Sequence, residues 1–116
     1  MKDLAKKNIL PYRKSDVPLS DDEIESFLEI LSGWKIVERE GIPRLEKSFP
    51  FDDFRGAMVF TNQVAELAEA ADHHPAILVS SIRCAVSWWT HIFKRLHLND
   101  FIMAARTDLL FQEKND

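Results

Sequence analysis

The chain has 116 residues, 46% of them hydrophobic and 29% charged, with a formal net charge of −4. This length and mix describe one folded domain that buries roughly two thirds of its unfolded surface, not a disordered chain. The acidic balance disfavours broad nucleic-acid binding, which needs a surplus of Lys and Arg facing phosphates, so Lys2, Lys6, Lys7, Arg13 and Lys14 read as a solvated cluster. The single cysteine, Cys84, excludes an intrachain disulfide and a Cys-based metal site. No apolar stretch approaches membrane-spanning length, and the N-terminus lacks the apolar core of a signal peptide. A cytoplasmic protein is the expectation.

Residues 1–17 show no periodicity and read as a partly ordered arm, ahead of a domain over 18–112 and a short tail at 113–116. LSDDEIESFLEIL (19–31) reads as a helix. Ser20 is its N-cap, Glu23 completes a capping box, and Ile24, Phe27, Leu28 and Leu31 form its buried face. WKIVERE (34–40) and RLEKSFPF (44–51) alternate around a turn at Gly41-Ile42-Pro43 and predict a hairpin. Leu45, Lys47 and Phe49 share one face of its second strand.

A long helix follows, from about Asp52 to His73, because Ala57, Phe60, Val64, Leu67 and Ala71 recur at helical spacing. Pro75 stops it. The β-branched and aromatic run over 76–90 predicts strands near 77–80 and 82–90. A final helix spans 99–111, with Ile102, Ala105 and Leu109 on one side. The order α-β-β-α-β-β-α indicates an antiparallel sheet with helices on one face, an α+β domain.

The chemistry concentrates at ADHHP (71–75), where two of the four histidines stand together at a helix end. Helix-terminal carbonyls and a nearby carboxylate both favour a protonated imidazole. Glu69, four residues before His73, is expected on its helical face. His91 closes the last strand and Asp100 opens the last helix, so three histidines with two carboxylates form a candidate proton-transfer set. Helix capping by the paired histidines is the plainer alternative. A zinc site is disfavoured because the helical HExxH spacing is absent. His97, in a loop, reads as solvent-facing. Strand alternation sends one residue of Trp88-Trp89 into the core. It leaves the other for a subunit interface or the substrate site, and Trp89 is the candidate there.

These residues, in this order, resemble the pterin-4a-carbinolamine dehydratases. Glu69, His73, His74 and Pro75 match a Glu-x-x-x-His-His-Pro motif, Thr90-His91 a strand-ending Thr-His, and Asp100 an aspartate at the start of the final helix. GW (33–34), SFPFDDF (48–54), VAELAEAADHHP (64–75) and DFIMAA (100–105) extend the similarity over about residues 18–112. The resemblance implies a four-stranded antiparallel sheet with three helices on one face, assembled as dimers or tetramers. It also implies a lyase that dehydrates 4a-hydroxytetrahydropterin to quinonoid dihydropterin with no metal or cofactor. His73 and His91 are then the proton-transfer pair, His74 binds and orients the pterin, and Glu69 and Asp100 support the site. Two departures stand out. Ser81 occupies a position that is usually aromatic in the family, and Arg95-Leu96-His97 replaces a Gly-Leu-Thr or Gly-Leu-Ser. They favour a rival reading, a dehydratase-like binding or assembly protein with an unidentified protein partner.

Overall fold

A computed structural model describes residues 2–10, 18–92 and 95–115. Its elements are α1 (Lys2–Ala5), α2 (Asp21–Ile30), β1 (Lys35–Arg39), β2 (Ile42–Pro50), α3 (Phe54–Ala71), β3 (Ala76–Ser80), β4 (Arg83–Trp88) and α4 (Leu98–Asn115). The strands form one antiparallel sheet in the order β1-β2-β4-β3. The expected α+β architecture is therefore present, with one further helical turn, α1, ahead of it. Of the expected N-terminal arm, residues 11–17 lie outside the described residues.

Register sorts the sheet into two faces. Leu45 pairs with Trp88, Lys47 with Val86 and Phe49 with Cys84 on the face that α3 and α4 cover. Leu45, Phe49, Cys84, Val86 and Trp88 are fully buried there, against Ala57, Phe60 and Val64 of α3 and the continuous run Phe101–Ala105 of α4. The Phe49 ring centroid lies 4.9 Å from Phe60 and 5.0 Å from Phe111. Lys47 holds its expected place on this face because Asp108 accepts its Nζ–H at 2.8 Å, while the Trp34 indole donates to the same carboxylate at 3.0 Å.

Some boundaries differ from the sequence reading. Ile42 and Pro43 belong to β2 and not to the turn, which is Glu40-Gly41, both at positive φ. Pro43 is the second residue of β2 and pairs with Glu38 before pairing with β4 begins at Leu45, a strand start where a missing donor is tolerated. α2 has the expected reciprocal capping box between Ser20 and Glu23. α4 continues to Asn115 and is buried on more than one side, because Leu4 and Ala5 of α1 cover it. Arg106 ties that segment down by donating to the Ala5 and Lys7 carbonyls at 3.0 and 2.7 Å. The part of the arm that forms α1 is thus packed on α4.

Cys84 is fully buried, and burial pushes its thiol above the usual range, the Thr61 hydroxyl at 3.3 Å opposing that only in part. Because the thiolate is the reactive form, maleimide is expected to label the native protein negligibly and the urea-unfolded protein fully. Rapid labelling under native conditions would contradict this packing.

Candidate functional site

Helix α3 ends differently from the periodicity expectation, and the difference decides what each histidine does. Asp72 adopts the left-handed conformation (φ 51°, ψ 43°). Its N–H reaches Glu69 O at 3.2 Å, and His73 N–H reaches Ala68 O at 3.1 Å. These two bonds are a Schellman closure, usually built on glycine, though aspartate also visits this region. Pro75 then biases His74 toward extended backbone. The reversal at Asp72 takes His73 off the helical surface, so it does not share a face with Glu69. His73 turns inward with its side chain 4% exposed, whereas the His74 side chain is 53% exposed.

The carboxylates divide accordingly. Glu69 pairs with His74, Oε1 to Nε2 at 2.8 Å, and not with His73 as its spacing suggested. His73 Nε2 meets Asp100 Oδ1 at 2.7 Å in the interior. The His73 ring also lies nearly parallel to that of Trp88, with centroids 5.8 Å apart at 6°. Trp88 is the core member of the tandem pair and donates its indole N–H to Thr107 Oγ1 at 3.2 Å.

Asp100 organises the rest. It is fully buried, and its Oδ2 accepts from the Thr90 hydroxyl at 2.8 Å and from the His97 N–H at 2.9 Å. Its place in the first turn of α4 also suits a negative charge. His97 is not simply solvent-facing. It is half-buried and caps α4, its Nδ1 accepting the Asn99 N–H at 3.0 Å. An imidazole thus does the work of the missing hydroxyl cap, and Asp100 answers it from three residues on, in the manner of a capping box. The Thr90–Asp100 bond and the bridge Thr90–Arg95 were not foreseen. The only signal for them was the Thr-His pair closing the strand.

By binding His73 and Thr90 to one carboxylate, Asp100 brings their chain neighbours His74 and His91 to the same end of the sheet. Both are exposed. Trp89 is at this end too, but it is only 9% exposed, with one ring face under the Arg44 guanidinium at 4.0 Å and its N–H given to His91. Ser81 is elsewhere. It sits at positive φ (54°) in the two-residue β3–β4 loop, at the far end of a five-residue strand from Pro75, about 20 Å away at the usual rise per residue. Within one chain, an aromatic side chain there does not belong to the histidine site. A groove of about 490 Å³ lies between α2 and the β1–β2 hairpin and approaches the site only through Arg95 and Leu96. Among the described residues, no three His, Cys, Asp or Glu side chains are grouped as metal ligands, and no helix is long and apolar enough to cross a membrane.

The fold and this cluster define a small α+β protein with a carboxylate-supported histidine site at one end of its sheet. The sequence model of the family described as pterin 4 alpha carbinolamine dehydratase matches residues 17–110, and the chain belongs to that family. It is 45% identical, over 99% of both chains, to a Microcystis aeruginosa protein named "Putative pterin-4-alpha-carbinolamine dehydratase". A Chlorobium luteolum protein of the same name is 43% identical over 97% of this chain and 99% of its own. Among solved structures, a transcriptional coactivator/pterin dehydratase from Brucella melitensis superposes with a TM-score of 0.73 at 32% identity, covering 81% of this chain and 98% of that one. A pterin dehydratase-like protein, identified as a RuBisCO assembly factor in the alpha-carboxysome, shares the fold with a TM-score of 0.58 at 24% identity, covering 67% of this chain and 88% of that one.

Proposed function

We propose that the protein is a hydro-lyase that removes water from a 4a-hydroxytetrahydropterin. The observation that carries this reading is the exposed His74–Glu69 pair beside the buried His73–Asp100–Thr90 anchor. With its Nε2–H directed to Glu69, His74 turns the lone pair of Nδ1 outward. This is the arrangement of a carboxylate-oriented general base.

The elimination balances without an external oxidant or a metal. His74 takes the proton from ring nitrogen N5, and the electron pair left behind forms the C4a–N5 double bond. The C4a–O bond breaks, and the oxygen leaves as water with the proton that His74 releases. His91 stands to hydrogen-bond the departing oxygen. Burial of His73 supports a change of emphasis from the sequence reading: His73 fixes the site, and His74, expected to bind and orient the pterin, also moves the proton. Pairing of exposed sheet edges into a homodimer or homotetramer is part of the same reading, since an uncovered edge strand is a liability.

The rival, a binding or assembly protein without turnover, drew its support from Ser81 and the 95–97 loop. The loop nonetheless delivers the His97 N–H to Asp100, and Ser81 lies at the other end of the hairpin. Both observations weigh toward catalysis. The test is a dehydration assay with enzymatically generated 4a-hydroxytetrahydropterin, followed by loss of its ultraviolet absorbance. Clear acceleration over the spontaneous rate is expected, and a folded protein that gives none would favour the rival.

A further inference from the structure

His91 lies in a turn three residues beyond the end of β4 and is exposed to solvent, yet its ring is held. The Trp89 indole N–H donates to His91 Nδ1 at 3.2 Å, and the two ring centroids are 4.7 Å apart at 57°. An indole nitrogen can only donate. Nδ1 must therefore offer a lone pair, which puts the proton of the neutral ring on Nε2.

The indole is itself pinned. Arg44 lies on its face, 4.0 Å from the ring centroid. Arg44 Nε is buried without a hydrogen-bond partner. The nearby carboxylate of Glu46 is taken by Arg39 at 2.8 and 3.0 Å. The hydrogen bond from Arg39 is the leading reason that the Glu46 carboxyl sits below its usual range. A buried N–H left unpaired costs stability; set against that are the charge attraction of Glu46 and the cation–π contact with Trp89.

We propose that Trp89, clamped by Arg44, is a positioning residue that holds His91 as its Nε2–H tautomer, so that His91 meets the substrate's departing oxygen as a hydrogen-bond donor and is unavailable as a base. While the latch is closed, Nδ1 is occupied by the indole and Nε2 carries the proton. Base chemistry falls to His74, whose Nδ1 is outward. The donor role rests on the reaction proposed above. The tautomer does not, because it follows from the Trp89–His91 contact alone.

The experiment is long-range proton–nitrogen correlation on the full chain labelled with ¹⁵N-histidine, at a pH where the rings are neutral. Wild-type His91 is expected to show the Nε2–H pattern. Trp89→Phe should collapse it to a mixture of tautomers, and Arg44→Met should move it part of the way. In the dehydration assay Trp89→Phe should lower kcat about 10- to 100-fold with little change in KM, as displacement of a positioned group does. An Nδ1–H pattern in the wild type, or an unchanged Nε2–H pattern in Trp89→Phe, would overturn the latch. If Trp89→Phe does not fold, the wild-type and Arg44→Met spectra decide. A wild-type protein with the expected spectrum but no turnover would overturn the proposed reaction and leave the latch supported.

Discussion

Asp100→Ala is expected to destabilise the fold by about 3–5 kcal/mol, because it takes the shared acceptor away from several buried donors. Three donors depend on this carboxylate: His73 Nε2, the Thr90 hydroxyl and the His97 N–H. Each buried donor left unsatisfied costs about 1–3 kcal/mol, and local relaxation recovers some of the sum. Asp100→Asn keeps the volume and one acceptor oxygen, but turns an amide toward groups that already donate. It should fall between wild type and alanine. Urea unfolding measures both, with a shifted midpoint and an unchanged slope as the signature of a pure stability loss. A midpoint for Asp100→Ala close to wild type would mean that the carboxylate is not the anchor of this end of the sheet. The same geometry makes His73→Ala a poor probe of chemistry. The side chain is 4% exposed and faces a fully buried carboxylate, so its loss takes the partner from Asp100 Oδ1 as well as removing a candidate catalytic group.

The fold was largely legible because its signals are local. The capping box at Ser20 and Glu23, the alternation of Leu45, Lys47 and Phe49, and the helical spacing of Ala57, Phe60 and Val64 each act within a few residues, and all three hold in the structure. That Glu69, His73, His74, His91 and Asp100 gather at one end of the sheet was legible too, through their order along the chain. Its wiring was not. A regular helix carried through to His73 would put that side chain on the face of Glu69, but one left-handed residue, Asp72, rotates the two histidines apart. Propensity ranks aspartate as merely tolerant of that conformation, so periodicity alone could not predict the exchange of partners. His97 was missed for a similar reason. Imidazole is not among the preferred capping side chains, and its role appears only once Asp100 is seen to complete the turn. The packing of α1 depends on Arg106, about a hundred residues away along the chain, and no local pattern encodes such a contact.

His74→Ala is expected to separate chemistry from stability. The side chain is 53% exposed, and its carboxylate partner Glu69 is 75% exposed. A surface pair of this kind contributes little to folding, so the urea midpoint should correspond to a change within roughly 0.5 kcal/mol. Turnover of 4a-hydroxytetrahydropterin should fall by roughly 10²–10⁴, the usual worth of a positioned general base. Glu69→Gln removes the charge but keeps a hydrogen-bonding group beside His74. Its effect should be smaller, about tenfold, or about 1.4 kcal/mol of transition-state energy. The order of the two losses carries the argument. If Glu69→Gln costs as much as His74→Ala, the carboxylate takes part directly in proton transfer. If His74→Ala turns over substrate at a near-wild-type rate, the exposed pair is ornamental, and the proton must travel through the buried His73 and Asp100 instead.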